Sequence, residues 1–313
     1  MNRRTRWRVA WIFTGGLAAV TISPWVTTMR TRAATVARAL MPWASLLGLP
    51  VAVVAVLGRR RVLAAGAVGV AGAGVAMARP LTRDRRRPRR PDAPVTTIAH
   101  ANLLYDNRRI DDAAVALSAL DVDVLTFSEY TPAHAANLAS SPLLAAWTHR
   151  IERPAELASG TALFSRHPLD ERATIADTRH HTVVADVHAP AGTLRVAVIH
   201  TQSPMVRHAR WAADLAYLAR VEPEGPAVMI GDFNAGWWHP ELRRLMGRRW
   251  RDAHHVVGRG LSASWPIGHW LLPPFVRLDH ALVTAELDVV AVADFYVPGS
   301  DHRGVIVTVG PAR

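Results

Sequence analysis

The chain has 313 residues, of which 50% are hydrophobic and 20% charged, with no cysteine and a formal charge of +12. The lack of cysteine excludes thiolate catalysis, disulfides and cysteine-based zinc sites. The charge does not describe a nucleic-acid binder, because 17 of the 37 basic residues lie in 1–91 beside one acid, Asp84, leaving 20 basic against 24 acidic residues in the remainder.

Residues 1–80 read as a membrane region. Three apolar runs, at 9–29, 39–57 and 62–78, are each near the ~20 residues that a helix needs to cross a bilayer. Arg30, Arg32 and Arg38, then Arg59, Arg60 and Arg61, separate them, which predicts about three transmembrane helices joined by short loops. The "RRTRWR" start leaves a cleaved signal peptide open for the first run, and buried core helices are the alternative for all three; a signal peptide explains one run but not three. Residues 81–93 form an Arg/Pro-rich linker, expected to be extended and disordered and either laid on anionic headgroups or solvated.

From residue 94 to 313 strand and helix patterns alternate. "VTTIAHANLL" predicts a strand, "RRIDDAAVALSAL" an amphipathic helix, and "VDVLTFSE" a second strand ending on Glu129. A helix near 132–145, strands near 160–165, 182–188 and 194–200, a helix over 205–221 and the strand "PAVMI" follow. The last third gives a short helix after "HPEL", a Trp/Pro-rich loop "SASWPIGHWLLPPF", and strands "VRLDHALVT", "LDVVAVADFYV" and "GVIVTV". Many strands are too close for helical crossovers, so the pattern predicts an α/β fold in which two mixed sheets form a layered sandwich.

Polar residues gather where these strands end: Asn102, Glu129, His200, Asp232 with Asn234, Asp279, and Asp301 with His302. In "PAVMIGDFNAGWW", residues i and i+2 leave the strand on the same side, so Asp232 and Asn234 can converge on one metal ion, water or phosphate oxygen while Phe233 returns to the core. Taken alone, the tetrapeptide reads equally as a turn. The full set of carboxylates, amides and imidazoles reads as an active site. Arg166, His280, His180 and His181 are expected to be structural or superficial.

The motifs "ANLLYDN", "LTFSEY", "SGTALFSRHPL", "VAVIHTQSP", "GDFNA", "RLDHALV" and "GSDHRGV", in this order, resemble the endonuclease/exonuclease/phosphatase superfamily with its DNase I-like fold, over about residues 95–310. "WWHPELR", "SASWP" and "RLDHALV" are similar to a bacterial branch with N-terminal membrane spans, some of whose members are associated with glycopeptide resistance. Nuclease members often carry an Asp two residues after the first Asn, where this chain has Leu104, which puts a second metal position in doubt.

The resemblance implies a metal-dependent phosphohydrolase. Glu129, with Asp301 near the metal, offers the hard oxygen ligands that suit Mg²⁺, or Mn²⁺ in its place. Asn102 is implied to position phosphate or metal, Asp232 and Asn234 to hold the attacking water or polarise the reacting phosphate, His200 to donate to a nonbridging oxygen, and His302, oriented by Asp279, to act as general base or phosphate-contacting cation. Trp237 and Trp238, together with Trp265, Trp270, Leu271, Leu272 and Phe275, are expected to border the same pocket. Either these residues pack against one another as a rim cluster, or, if exposed, Trp265, Trp270, Leu271, Leu272 and Phe275 meet the membrane interface or a lipid tail, favouring an amphiphilic phosphate such as a polyprenyl pyrophosphate. The alternative is a nuclease of the same superfamily acting on nucleic acid. Orientation rules conflict: three spans with the N-terminus inside put the catalytic domain outside the cell, whereas seven Arg from Arg79 to Arg90 favour the cytoplasm. The span count and the resemblance agree on a multi-pass protein with an extracytoplasmic catalytic domain.

Overall fold

The computed structural model describes residues 2–28, 30–87, 92–141, 144–172, 175 and 178–312. Its N-terminal part is helical: α1 (Arg3–Ile22), α2 (Arg32–Leu46), α3 (Gly48–Leu57) and α4 (Arg61–Ala78). Among the described residues two stretches are long and apolar enough to cross a membrane, Arg32–Leu57 and Arg61–Thr82, rather than the expected three. The first expected span fails because α1 ends at Ile22, where a 3-10 turn over Ser23–Trp25 containing Pro24 takes over, and Arg4, Arg6 and Arg8 fill its opening turns, so only 9–22 remain as its apolar part.

The four helices pack on one another and return to the rest of the chain at one end. There Trp43 Nε1 donates to the Phe275 carbonyl at 2.9 Å, Arg32 to the Val206 carbonyl at 2.7 Å and Arg243 to the Pro24 carbonyl. Met41 and Leu81 pack with Trp238 in a small apolar core. The described start of the expected linker is not free, since the Arg85 amide donates to the Val256 carbonyl at 2.7 Å and Arg87 lies 3.6 Å from Asp288; residues 88–91 lie outside the described residues.

Beyond the helices come β1 (Thr96–Asn102), α5 (Ile110–Ser118), β2 (Val124–Ser128), α6 (Pro132–Ala139), β3 (His149–Arg153), β4 (Thr161–Ser165), β5 (Leu169–Glu171), β6 (Val183–Ala189) and β7 (Gly192–His200). They are followed by α7 (Pro204–Leu218), β8 (Ala227–Asp232), α8 (Pro240–Met246), β9 (Arg251–Asp252), α9 (Ala253–Val256), β10 (Asp279–Val283), β11 (Leu287–Tyr296) and β12 (Arg303–Pro311). Two six-stranded sheets result, ordered β11-β12-β1-β2-β4-β3 and β5-β6-β7-β8-β10-β9.

Alternation along each strand buries one face between the sheets, where Ile98, Val124 and Leu163 meet Val183, Val196, Val228 and Ala281. The outer faces carry the helices: α5 and α6 contribute Ala113, Leu117 and Leu138 to one outer core, α7 and α8 contribute Trp211, Leu215 and Leu242 to the other. The result is the predicted layered α/β sandwich of two mixed sheets.

Candidate active site

Register brings the polar strand ends together. β1 runs parallel to β2 and β7 to β8, so Asn102 pairs with Ser128 and His200 with Asp232 at the same edge of the sandwich. β10 is antiparallel to β8 with Asp279 opposite Asp232, so its first residue arrives where the others end. Gly231 makes the β7–β8 approach possible: its φ is +151°, and a Cβ there would stand 1.9 Å from the Ile199 carbonyl oxygen. Leu104, Glu129 and Asn234 take positive φ angles of 59°, 56° and 48°, a conformation that non-glycine residues hold at a cost and that clusters at functional sites.

The polar residues singled out from the strand ends converge on one site, joined partly by hydrogen bonds and partly by contacts of 3.8–3.9 Å. Asn102 Nδ2 donates to Glu129 Oε1 at 3.0 Å and to Asp232 Oδ2 at 3.3 Å. Glu129 Oε2 accepts the Tyr105 amide at 2.9 Å. Asp232 Oδ1 accepts the Asn234 amide at 2.7 Å, and Asn234 Nδ2 donates to the Thr201 carbonyl at 3.0 Å. His302 Nδ1 meets Asp279 Oδ2 at 2.8 Å, while its Nε2 faces Asp232 Oδ2 at 3.8 Å and Asp301 Oδ1 at 3.9 Å. Asp301 Oδ2 accepts the Trp265 indole N–H at 2.9 Å.

The electrostatics follow from crowding carboxylates in a dry place. Burial, together with the charges of Asp279 and Glu129, pushes Asp232 up to about 8 against the pull of His302. Burial also raises Glu129, with Asp301 adding repulsion and the Tyr105 and Asn102 donors opposing it. Burial alone would lower His302, but Asp279, Asp232 and Asp301 overcome it and raise the imidazole to about 10, so the ring is an imidazolium at neutral pH. His200 goes the other way: burial and the positive His302 depress it to about 3. Its Nδ1 contacts the Ala158 carbonyl at 2.9 Å, which places the proton of the neutral ring there and turns the Nε2 lone pair towards the site. The donation expected of His200 therefore requires the protonated ring.

These groups open into a cavity of about 490 Å³. Glu129, Asp232, Asn234, Asp301, His200 and His302 line its floor, and no Arg or Lys is among its described lining residues. A phosphate bound there would meet carboxylates and one imidazolium, and the carboxylates repel one another. A divalent cation held by Glu129 and Asp301 would answer both problems, and their hard oxygen donors fit Mg²⁺ or Mn²⁺. Asp232, Asp279 and His302 also place ligand-type atoms within 4.8 Å of one another, but His302 Nδ1 and Asp279 Oδ2 are already bonded to each other.

Two residues expected to be structural divide. His280 is structural, held by Asp252 at 2.6 Å and the Ala235 carbonyl at 2.8 Å. His180 stacks on His200 with ring centroids 4.4 Å apart and lines the cavity; it sits in an irregular segment without a motif to mark it. Arg166 pairs with Asp121 and covers Trp147, and His181 is exposed. Only part of the expected aromatic border forms. Trp265 and Phe275 line the cavity, but Trp237 and Trp238 turn away into a separate apolar cavity of about 340 Å³ shared with α2 and α4. Trp270 is 85% exposed, and Leu271 and Leu272 stand out with it. Thr35, Val36 and Ala39 of α2 complete the wall, a contribution from outside the strand pattern.

A two-sheet sandwich with acids, amides and a His–Asp pair at one edge defines a class of phosphoester-cleaving hydrolases. The chain belongs to the Endonuclease/Exonuclease/phosphatase family, whose profile matches residues 98–302. Members of that family hydrolyse phosphoester bonds and are typically divalent-metal dependent. Among solved structures, humanized TDP2 of D. rerio superposes with a TM-score of 0.57 at 15% identity, covering 69% of this chain and 99% of that one. An endonuclease/exonuclease/phosphatase from Beutenbergia cavernae gives 0.55 at 20% identity, covering 70% and 72%. The 3′ phosphatase NExo from Neisseria, bound to a product DNA hairpin, gives 0.52 at 16% identity, covering 68% and 98%. No curated protein matches the chain significantly.

Proposed function

We propose that the chain is a membrane-tethered, divalent-metal-dependent phosphohydrolase that cleaves a phosphoester or pyrophosphate bond of a lipid-linked substrate such as a polyprenyl pyrophosphate. The observation that carries this reading is the two-faced cavity: acids and an imidazolium on its floor without Arg or Lys, and Pro204, Met205, Trp265 and Phe275 on its sides. A groove that tracks a nucleic-acid backbone would present cations along its length.

Glu129 and Asp301 would hold Mg²⁺ or Mn²⁺, which supplies charge neutralisation and Lewis acidity at a phosphate oxygen. Asp232, fixed by the Asn234 amide, orients the attacking water, and would accept its proton in the carboxylate form that a bound cation favours. Asn102 and Asn234 hold that carboxylate, and Asn102 also positions Glu129 for the cation. His302, locked by Asp279, presents Nε2–H to the charge that develops on the phosphoryl group, acting as a cation rather than a base. His200 donates to a nonbridging oxygen once a bound phosphate dianion favours its protonated ring. The exposed Trp270–Leu271–Leu272 loop is suited to a membrane interface.

The helix arrangement supports an extracytoplasmic site. Arg60 covers Trp7 at 5.4 Å, so the Arg-rich start of α1 and the Arg59–Arg61 turn share the end remote from the catalytic part. The positive-inside preference makes that Arg-rich turn, where the stretches Arg32–Leu57 and Arg61–Thr82 meet, the cytoplasmic end and leaves the catalytic part outside. On the near side Arg86 pairs with Asp84 at 2.6 Å and Arg87 with Asp288, which partly neutralises the arginines that argued for the opposite orientation.

The test is kcat/KM of the full chain on a polyprenyl pyrophosphate, a water-soluble diphosphate and DNA, with EDTA and with Mg²⁺ or Mn²⁺ restored. Lipid turnover should dominate, vanish with EDTA, and fall selectively in Trp270→Ala/Leu271→Ala. Glu129→Ala, Asp232→Asn and His302→Ala should each lower kcat by about 10²-fold or more with folding intact. Full activity of His302→Ala removes this site from consideration, and preference for DNA replaces the lipid reading with a nuclease.

A further inference from the structure

Helix α2 contributes to the catalytic cavity as well as to the apolar N-terminal region. Thr35, Val36 and Ala39 recur at three- and four-residue spacing and therefore share one face, which lines the cavity above the floor of Glu129, Asp232 and His302. Pro204, Met205 and Val206, the first turn of α7, stand opposite. Two contacts fix this α2–α7 gap: Arg32 donates to the Val206 carbonyl at 2.7 Å, and His208 Nε2 meets Thr35 Oγ1 at 3.2 Å. At the mouth Val36, Met205 and Val206 are all exposed apolar side chains.

From this geometry we infer that α2 and the first turn of α7 form a subsite for the hydrocarbon chain carried by the substrate's phosphate. The inference rests on the phosphohydrolase reading for what lies on the floor, and adds where the leaving group's chain goes. The occupant is set by continuity: a phosphate on the floor points its substituent up a wall that ends in the apolar side chains of Val36, Ala39, Met205 and Val206. The α2 side of that wall belongs to the stretch Arg32–Leu57, long and apolar enough to cross a membrane. A chain lying along Thr35, Val36 and Ala39 passes from the reacting phosphate to the bilayer without crossing water, which a nucleotide or soluble sugar substituent would have no reason to do.

Ala39 is partly buried and Val36 exposed, so bulk or charge can be placed there without opening a core. The experiment compares wild type with Ala39→Trp and Val36→Glu, as full chains in nanodiscs. Substrates are a long-chain prenyl diphosphate and methyl diphosphate, and the readout is the ratio of their kcat/KM values. A drop in that ratio of about 10-fold in either variant supports the subsite. Equal loss on both substrates, leaving the ratio unchanged, overturns it while sparing the phosphohydrolase reading. A parallel arm irradiates wild type with a diazirine-bearing prenyl diphosphate and maps the adduct. Labelling of 32–46 supports the subsite even if neither diphosphate is hydrolysed, an outcome that would sink the catalytic reading alone. Labelling elsewhere, competed by excess prenyl diphosphate, overturns the subsite.

Discussion

Gly231→Ala perturbs a point at which the two strands carrying His200 and Asp232 approach so closely that a Cβ would strike backbone. The new Cβ would stand 1.9 Å from the Ile199 oxygen, whereas ordinary van der Waals contact begins at 3.4 Å, so β7 and β8 must part by about 1.5 Å or the chain must twist out of φ +151°. The obstacle is backbone and cannot swing aside as a side chain could. Non-glycine strain at such an angle costs about 1–3 kcal/mol, and a lost pairing in the parallel ladder adds about 1 kcal/mol. A total near 3 kcal/mol lowers Tm by about 6–12 °C for a domain of roughly 200 residues. The register places His200↔Asp232 one step beyond Ile199↔Gly231, so the same parting moves both site residues, and a displacement of ~1 Å costs about 10²-fold in kcat. Differential scanning fluorimetry of the full chain in detergent gives Tm, and metal-dependent turnover of a soluble diphosphate gives kcat. A variant with wild-type Tm and wild-type kcat would show that the approach seen here is not required, and the account of why glycine precedes Asp232 would fall.

Acid should loosen the docking of α2. Burial depresses His239 to about 4, and its ring accepts the Gly236 amide at Nδ1 (2.8 Å) while Nε2 contacts the Thr35 carbonyl at 3.1 Å. Because the folded-state pKa lies below the ordinary value near 6.5, this group's contribution is complete above pH ~6.5 and is lost as pH falls towards 4, by at most about 3 kcal/mol. Tm between pH 7 and 4.5 should therefore fall less steeply in His239→Gln than in wild type; parallel curves would refute the assignment. Topology is checked by fusing after Arg313 a phosphatase that folds only outside the cytoplasm: activity is expected, and signal from a cytoplasm-only reporter in its place would reverse the orientation.

The strand ends were legible because period-2 strands announce themselves and because Glu129, Asp232 and Asp279 interrupt apolar runs with residues that a buried strand has no structural use for. The sheet edges were not: β3 reads "HRIER", mostly polar, and β5 and β9 are three and two residues long, too short for periodicity to register. The first expected span was cut short at its far end, where Pro24 takes the chain out of α1 after Ile22, and the same helix begins with Arg4, Arg6 and Arg8 rather than apolar residues. The turn of Trp237 and Trp238 away from the cavity follows Asn234, whose φ of 48° redirects the chain in a way no local pattern displays. Contacts of Thr35 with His208 and His239 span more than 170 residues, and only tertiary packing creates them.

The hydrogen bond from Trp43 to Phe275, the Arg243 contact at Pro24 and the buried approach of Arg38 to Glu241 at 3.9 Å clamp the helices to the sandwich at three separate points. A domain held this way cannot swing like a float on a rope. Its cavity sits at one height and one angle relative to the helices that carry it, so the enzyme can sample only phosphates that come to that height. Under the membrane-tethered reading proposed above, grafting the sandwich onto an unrelated transmembrane helix would place it at a bilayer with Thr35, Val36 and Ala39 missing. Correct address and correct catalytic residues would then be separable from correct substrate choice.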